Sequence, residues 1–409
     1  MNDFVSPTNL TLQYPELGTG PVSTDIYRDP AIFEKEIEAI FKRSWHMVGR
    51  VNQVAEPGDF FVCDLPTFRY SVLICRDKSG AINGFHNVCQ HRGNVVEHRS
   101  SGKNAVFMCR FHGWSYDLTG KLLRVRDEEG FHHLDKSKLN LKPVPTQVWQ
   151  GFIFVYVGEA PEQSLEEYMG QQGHDIDGYP FDLGTQMYQY ETEVQCNWKL
   201  LVDSYSEVYH IPILHPQSLS PTMMVPDNPN GRFLGTWIKG PHRTNSHWSC
   251  FTPTTHPIQK LAYQNQASPS IVSATAADFV MPKGLNESRA KNWSVDLQVY
   301  FPALSFVLAS GMYIAHQVWP LAANRCLYRK RGYMRKAETA AQRFGQENSQ
   351  VEFRDVILED LNTLERIQRS IDAGLIKEFN FHDQEVALRH QAHMVRETLK
   401  RYDAERTGK

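Results

Sequence analysis

The 409-residue sequence predicts an α+β chain: a small all-β domain, then a larger domain with an antiparallel sheet flanked by helices. Three observations predict this. Short β-rich runs such as YSVLIC and GFIFVYVG alternate with Gly, Asp and Asn turns between about residues 45 and 158. The later run SVDLQVYFPALSFVLASGMYIAHQVWPLA reads as neighbouring antiparallel strands. Residues 350–373 and 383–402 carry the pattern of two long helices. The expected boundaries are 1–44 for an N-terminal segment and helix packed on the larger domain, 45–158 for the all-β domain and 159–409 for the larger one.

Composition sets limits on function. With 41% hydrophobic and 22% charged residues, the chain reads as a soluble globular protein. A formal net charge of -3 gives no global pull toward nucleic acid or anionic membrane. The longest apolar run, Phe152 to Val157, is six residues, against roughly 20 for a membrane span. The start, MNDFVSPTNLTLQYPELG, has neither the basic opening nor the apolar run of a secretory signal. Seven cysteines in so long a chain do not make a disulfide framework, and a cytoplasmic location is expected.

The elements follow in order. Asp29-Pro30 predicts a helix start, and Ile32, Phe33, Ile37, Ile40 and Phe41 recur on one face. Within the all-β segment lies CQHRGNVVEHRSSGKNAVFMCRFHGW, residues 89–114. Cys89 pairs with His91, and Cys109 with His112. Four such ligands suit zinc or iron–sulfur. A zinc knuckle usually brings two cysteines close together, whereas here each loop offers one cysteine and one histidine. That pattern suits a [2Fe–2S] cluster with two thiolates on one iron and two imidazoles on the other. Gly93 and Gly113 would let backbone approach the cluster. His86 and His98 fall outside the pattern and read as ordinary histidines.

C-x-H, seventeen residues, C-x2-H, then G-W, resembles a Rieske protein. The rest of the chain is too long for a simple electron carrier. It contains NWKLLVDSYSEVYHIPILHP, residues 197–216, in which His210 and His215 are five apart. Five residues do not return to one face of a straight helix, and Pro212 between them is placed to swing His215 back. The run N-W-K, an acidic residue, then Y-H-x4-H is similar to the mononuclear iron motif of Rieske non-heme iron oxygenases, in the large (α) subunit of the aromatic-ring-hydroxylating dioxygenase family. The resemblance covers about 40 to 375.

The resemblance implies the following. The second domain would have the helix-grip, START-like fold. One [2Fe–2S] cluster would sit on Cys89, His91, Cys109 and His112, and one mononuclear Fe(II) on His210, His215 and a late aspartate. Asp360 in VILEDLNTLERIQRS is the match, Asp355 the fallback, and Glu359 points about 100° away on the helix. Glu207, three before His210 on the expected helix face, would carry electrons between His210 and His112 of a neighbouring subunit. The common family residue there is aspartate, and a glutamate occurs among members that oxidise carnitine-like quaternary amines. Asp203 is held as a support for the bridge or for Tyr209. A reductase, with or without a ferredoxin, would pass electrons from NAD(P)H, and O2 would be the co-substrate. The assembly would be a homotrimer, with a β subunit left open, and with no nucleic acid or membrane partner.

The expected activity is oxygenation of a small organic substrate, an aromatic compound or aromatic acid first. The alternatives are a quaternary or N-methylated amine, or a Rieske electron-transfer protein without oxygenase activity. Trp248, Phe306 and Trp319 are candidate pocket walls, although aromatic residues more often fill cores. A quaternary amine would want an aromatic cage, and an aromatic acid would want Arg243 or Lys283.

Overall fold

The computed structural model describes residues 8–224, 226–249, 256–266, 280–309 and 311–408. The chain divides into two compact units, Phe41–Tyr168 and Met1–Ile40 with Met169–Lys409. The cuts fall a little outside the boundaries read from the sequence. Phe41 stacks on His46 and Arg43 reaches Glu162 at 3.3 Å, so both flanks of the β segment stay with the smaller unit.

The smaller unit is all-β apart from short turns. Strands Ile82–His86, Tyr70–Arg76, Asp59–Leu65 and Ser101–Lys103 form one antiparallel sheet in that order. Thr146–Trp149, Phe152–Tyr156 and Trp45–Arg50 form a second. Phe107–Met108, Ser115–Tyr116 and Leu122–Arg124 form a third, short sheet. Phe60, Leu73, Phe85, Trp114 and Tyr116 make one apolar core, and Cys89 and Cys109 belong to it.

The larger unit is built on a seven-stranded antiparallel sheet. Its order is Gln186–Val194, Arg325–Met334, Met312–Ala322, Leu304–Ala309, Trp293–Tyr300, His242–Trp248, Gly235–Lys239. The three strands of the 294–322 run are neighbours there, as expected.

The helix Ala340–Asp372 is ten residues longer at its start than its apolar pattern suggests. A capping box explains this: Thr339 accepts from the Gln342 N–H while the Gln342 side chain returns to the Thr339 N–H. The helix Val386–Thr407 buries Val386, Leu388, His390, Val395 and Leu399 and packs on the first helix, Pro30–Ala39. That first helix starts as expected, with Asp29 accepting from the Ala31 N–H at 2.8 Å. Its buried face holds Phe33, Ala39 and also Glu36, which no apolar count would select. Glu36 meets Lys199 at 2.6 Å and the Trp198 indole N–H at 2.8 Å, with both charges fully buried.

Cys63, Cys75, Cys196 and Cys326 are buried and form no disulfide among the described residues, while Cys250 lies outside them. Among the described residues no helix is long and apolar enough to cross a membrane.

Candidate metal centres

In the smaller unit, two loops of the same design carry the Cys/His pairs. Gly93 N–H donates to Cys89 O at 3.0 Å, and Gly113 N–H to Cys109 O at 2.9 Å. Cys89 N–H donates to Asn94 O at 2.8 Å, and Cys109 N–H to Trp114 O at 2.9 Å. Each turn needs a left-handed residue at the glycine, with φ of 78° at Gly93 and 81° at Gly113. A side chain there would meet no protein atom within 4 Å, so backbone conformation, not protein crowding, selects glycine.

The loops place the thiols in the core, each 2% exposed, and the imidazoles at its half-buried edge. His91 Nδ1 and His112 Nδ1 face each other at 3.1 Å. The Tyr116 hydroxyl lies 3.3 Å from Cys89 Sγ, and the Asn94 amide donates to Cys109 Sγ at 3.6 Å. Burial opposes ionisation at Cys109, but the N–H groups of Phe111 and His112 and the Asn94 amide outweigh it and lower its pKa. No three of the four ligand atoms close within 4.8 Å, as they would around one zinc ion. They pair two by two, sulfur with sulfur inside and nitrogen with nitrogen outside, which fits a two-iron cluster better than a single ion.

In the larger unit, the motif at 197–216 is not one helix. Asn197 caps Trp198–Ser204, the chain then turns, and a single helical turn, Ile211–Leu214, separates His210 from His215. Pro212 stands in the first turn of that piece, where a missing N–H costs nothing. The break alters two expectations. Glu207 reaches His210 across a turn, not along a helix face. Asp203 is not one helical turn below Glu207. Its Oδ2 takes the Tyr27 hydroxyl at 2.8 Å, while Tyr209 is 60% exposed and stacks on His382. Asp203 therefore supports neither Glu207 nor Tyr209 by direct contact.

His210, His215 and Asp360 come together as the resemblance implies. His210 Nε2 and His215 Nε2 are 3.2 Å apart, and Asp360 Oδ1 lies 3.4 Å and 3.2 Å from them. Bonds of about 2.0–2.2 Å from three ligands on one octahedral face give edges of ~3 Å. Among the described residues this is the only His/Cys/Asp/Glu trio that closes so tightly. Asp355 pairs with Arg354 on an exposed surface and stands outside the site.

What each histidine does with its other nitrogen strengthens the fit. His210 Nδ1 donates to Glu207 Oε1, and Glu207 Oε2 accepts the Tyr209 and His210 N–H groups. His215 Nδ1 donates to Glu359 Oε2 at 2.5 Å. With both Nδ1 positions holding a proton, both Nε2 lone pairs are free for a metal. Burial alone would lower the pKa of His215, but Asp360 and Glu359 outweigh it and raise it. Sequence reasoning set Glu359 aside because it leaves the Asp360 face. The signal that could have found it is the need of a ligating histidine for a second carboxylate.

A cavity of about 280 Å³ opens from the trio. Leu297, Ile314, Val307 and Ile357 give it an aliphatic wall, and Tyr205, Phe353 and Lys330 also line it. Trp248, Phe306 and Trp319 do not line it: they are core residues at 2%, 0% and 2% exposure. Arg243 is also absent, fully buried against Gln391 and Ser206, and Lys283 is exposed. A second hollow of about 270 Å³ also borders Glu207 and His210, with Asp203 and Glu385 among its lining.

Comparison with known proteins agrees with both centres. The family model of the ring hydroxylating alpha subunit (catalytic domain) matches residues 181–401, and that of the Rieske [2Fe-2S] domain matches 44–138. Choline monooxygenase of Spinacia oleracea is 32% identical over 194 residues, 46% of this chain and 44% of that protein. The glycine betaine monooxygenase oxygenase subunit of Chromohalobacter salexigens is 28% identical over 226 residues, 54% of this chain and 49% of that protein. The chain thus spans about half the length, or less, of the curated relatives it matches. Two solved structures share the fold. The quaternary ammonium Rieske monooxygenase CntA in complex with L-carnitine has a TM-score of 0.72 at 20% identity, covering 92% of this chain and 95% of that one. Naphthalene 1,2-dioxygenase from Rhodococcus sp. has 0.71 at 19% identity, covering 96% of each.

Proposed function

Because the chain belongs to the ring-hydroxylating alpha-subunit family, we propose that it is the terminal oxygenase of a Rieske system acting on a quaternary or N-methylated amine. Cys89, His91, Cys109 and His112 hold the [2Fe–2S] cluster. His210, His215 and Asp360 hold a mononuclear iron, which when bound supplies the site of O2 activation. The net reaction places one oxygen atom in a C–H bond beside nitrogen. The other atom leaves as water, taking up two electrons drawn from NAD(P)H through a reductase or ferredoxin and two protons from solution.

The protein's own part is orientation and electron delivery. Glu207 and Glu359 fix the proton of each histidine on Nδ1. Glu207 retains lone pairs beyond those used by His210 and the two backbone N–H groups, so it can also accept an N–H from His112 of a neighbouring subunit. That link works only between chains, so the assembly proposed is a homotrimer, a closed head-to-tail ring. The aliphatic cavity wall excludes water around the reacting carbon.

The observation that carries the amine reading is the match to choline and glycine betaine monooxygenases. The glutamate at position 207 agrees with it. An aromatic acid is the second reading, favoured by the aliphatic wall with a single lysine in it.

A single-turnover assay tests the proposal. Chemically reduced protein is exposed to O2 with a pool of betaine- and carnitine-like amines, or with a pool of arenes and aromatic acids. An oxidised or cleaved amine is expected. An oxygenated aromatic from the second pool alone would replace the amine reading with the aromatic one.

A further inference from the structure

Lys330 lies in the strand Arg325–Met334, between Tyr190 on one neighbouring strand and His316 on the other. The charged neighbours of that strand are satisfied across the sheet. Arg329 donates to Glu191 at 2.7 Å, and Arg331 to Gln189 at 2.8 Å. Alternation turns Lys330 the other way, into the cavity, where it is 1% exposed. Its Nζ makes one long hydrogen bond, 3.3 Å to Gln350 Oε1, and stands 5.2 Å from the ring centres of both Tyr190 and Phe353. Among the described residues no carboxylate lies within 4.0 Å of it. A buried ammonium without an anion is costly, and burial lowers its pKa to about 7.

The charges in the cavity are separated. At the metal end Asp360 and Glu207 line the cavity and Glu359 stands behind His215, three carboxylates beside the one divalent ion that the trio would hold. Lys330 is the one lysine or arginine among the described lining residues. Gln350, Phe353, Ile357 and Asp360 recur along one stripe of the helix Ala340–Asp372, so that helix runs from the lysine to the metal end. Phe353 and Asp360 are seven residues apart, about 10 Å of helix rise.

We infer that Lys330 binds a carboxylate of the substrate, which makes the substrate a short zwitterion: an N-methylated ammonium at the metal end and a carboxylate at the lysine. This rests on the amine reading above and narrows it. A choline-like alcohol, with no anion to offer, would leave Lys330 unpaired.

Calorimetric titration of the iron-loaded, cluster-containing protein tests this, with glycine betaine, L-carnitine, choline and benzoate as probes. Wild type is expected to bind glycine betaine or L-carnitine about ten- to a hundredfold tighter than choline. Lys330→Met should erase that preference and leave choline affinity within about threefold, while Lys330→Arg should retain it. The unchanged choline affinity and cluster spectrum guard against a variant that has merely lost its fold. The inference is overturned if Lys330→Met binds the zwitterions as wild type does, or loses choline equally. Tighter binding of choline in wild type would also overturn it and leave the amine reading standing. Benzoate bound through Lys330, with neither amine bound, would sink the zwitterion and the amine reading together and keep only the carboxylate contact.

Discussion

His215 and Glu359 face each other at 2.5 Å, Nδ1 to Oε2, while the residue after Glu359 supplies Asp360 to the other nitrogen of the same ring. Two adjacent side chains on one helix thus grip one imidazole at both ends. Ser218 adds a hydroxyl to Glu359 at 2.8 Å. Glu359→Ala should lower affinity for the mononuclear iron about 10- to 100-fold and leave the cluster absorbance unchanged. Iron loss to a chelator, followed over time, measures this. Unchanged retention would show that Glu359 only neutralises charge.

The ligand set itself makes a sharper prediction. Wild type should carry about three irons and two acid-labile sulfides per chain. Asp360→Ala should fall to about two irons with both sulfides kept, whereas Asp355→Ala should keep all three irons. A loss in Asp355→Ala equal to that in Asp360→Ala would dissolve the assignment.

Glu207 offers a test of electron delivery that iron content does not share. In Glu207→Gln the side-chain NH2 has no use for the His210 Nδ1–H, and one acceptor oxygen replaces two. Iron should stay, while reoxidation of the reduced cluster by O2 and substrate slows by at least about tenfold, the order a lost general hydrogen-bonding contact gives. Stopped-flow absorbance of the cluster reads this directly. Reoxidation at the wild-type rate would remove Glu207 from the path.

How much of this was legible in the sequence depended on how local each feature is. The Cys/His loops could be read because each turn closes within six residues, from Cys89 to Asn94 and from Cys109 to Trp114. Asp360 could be placed only through resemblance, since 145 residues separate it from His215. Glu359 was missed because a helical wheel shows which residue faces a metal, not which one faces the far side of a ligand. Nothing in RCLYRKRGYM sets Lys330 apart from the arginines on either side of it. Only the pairing of Lys330 with Tyr190 and His316 shows that its side faces inward.

The Glu36–Lys199 pair predicts a stability effect far from the metals. Both side chains are fully buried, and burial raises the pKa of Glu36 and lowers that of Lys199. Each charge is tolerated because of the other. Glu36→Ala should destabilise the larger unit by about 3–5 kcal/mol, since it strands a buried ammonium. The double change Glu36→Leu with Lys199→Met should recover most of that loss. Urea unfolding followed by tryptophan fluorescence separates the two.

Asp203 gives the pH dependence. Burial raises its pKa from 3.8 to about 7, against the opposing pull of the Tyr27 hydroxyl and Arg243. The folded state therefore holds this proton more tightly than the unfolded chain does. The stability that the neutral acid contributes is complete below about pH 4. It is lost progressively as pH rises to about 7, and the loss is constant above that. Asp203→Asn keeps an acceptor for Tyr27 and cannot ionise. Its stability relative to wild type should be smallest near pH 4–5, grow up to pH 7 and level off by pH 8. Urea midpoints of both proteins across that range check the sign. A relative stability that falls with rising pH would mean that Arg243 and Lys199 hold Asp203 ionised in the fold, with the balance of burial and charge the reverse of that drawn here.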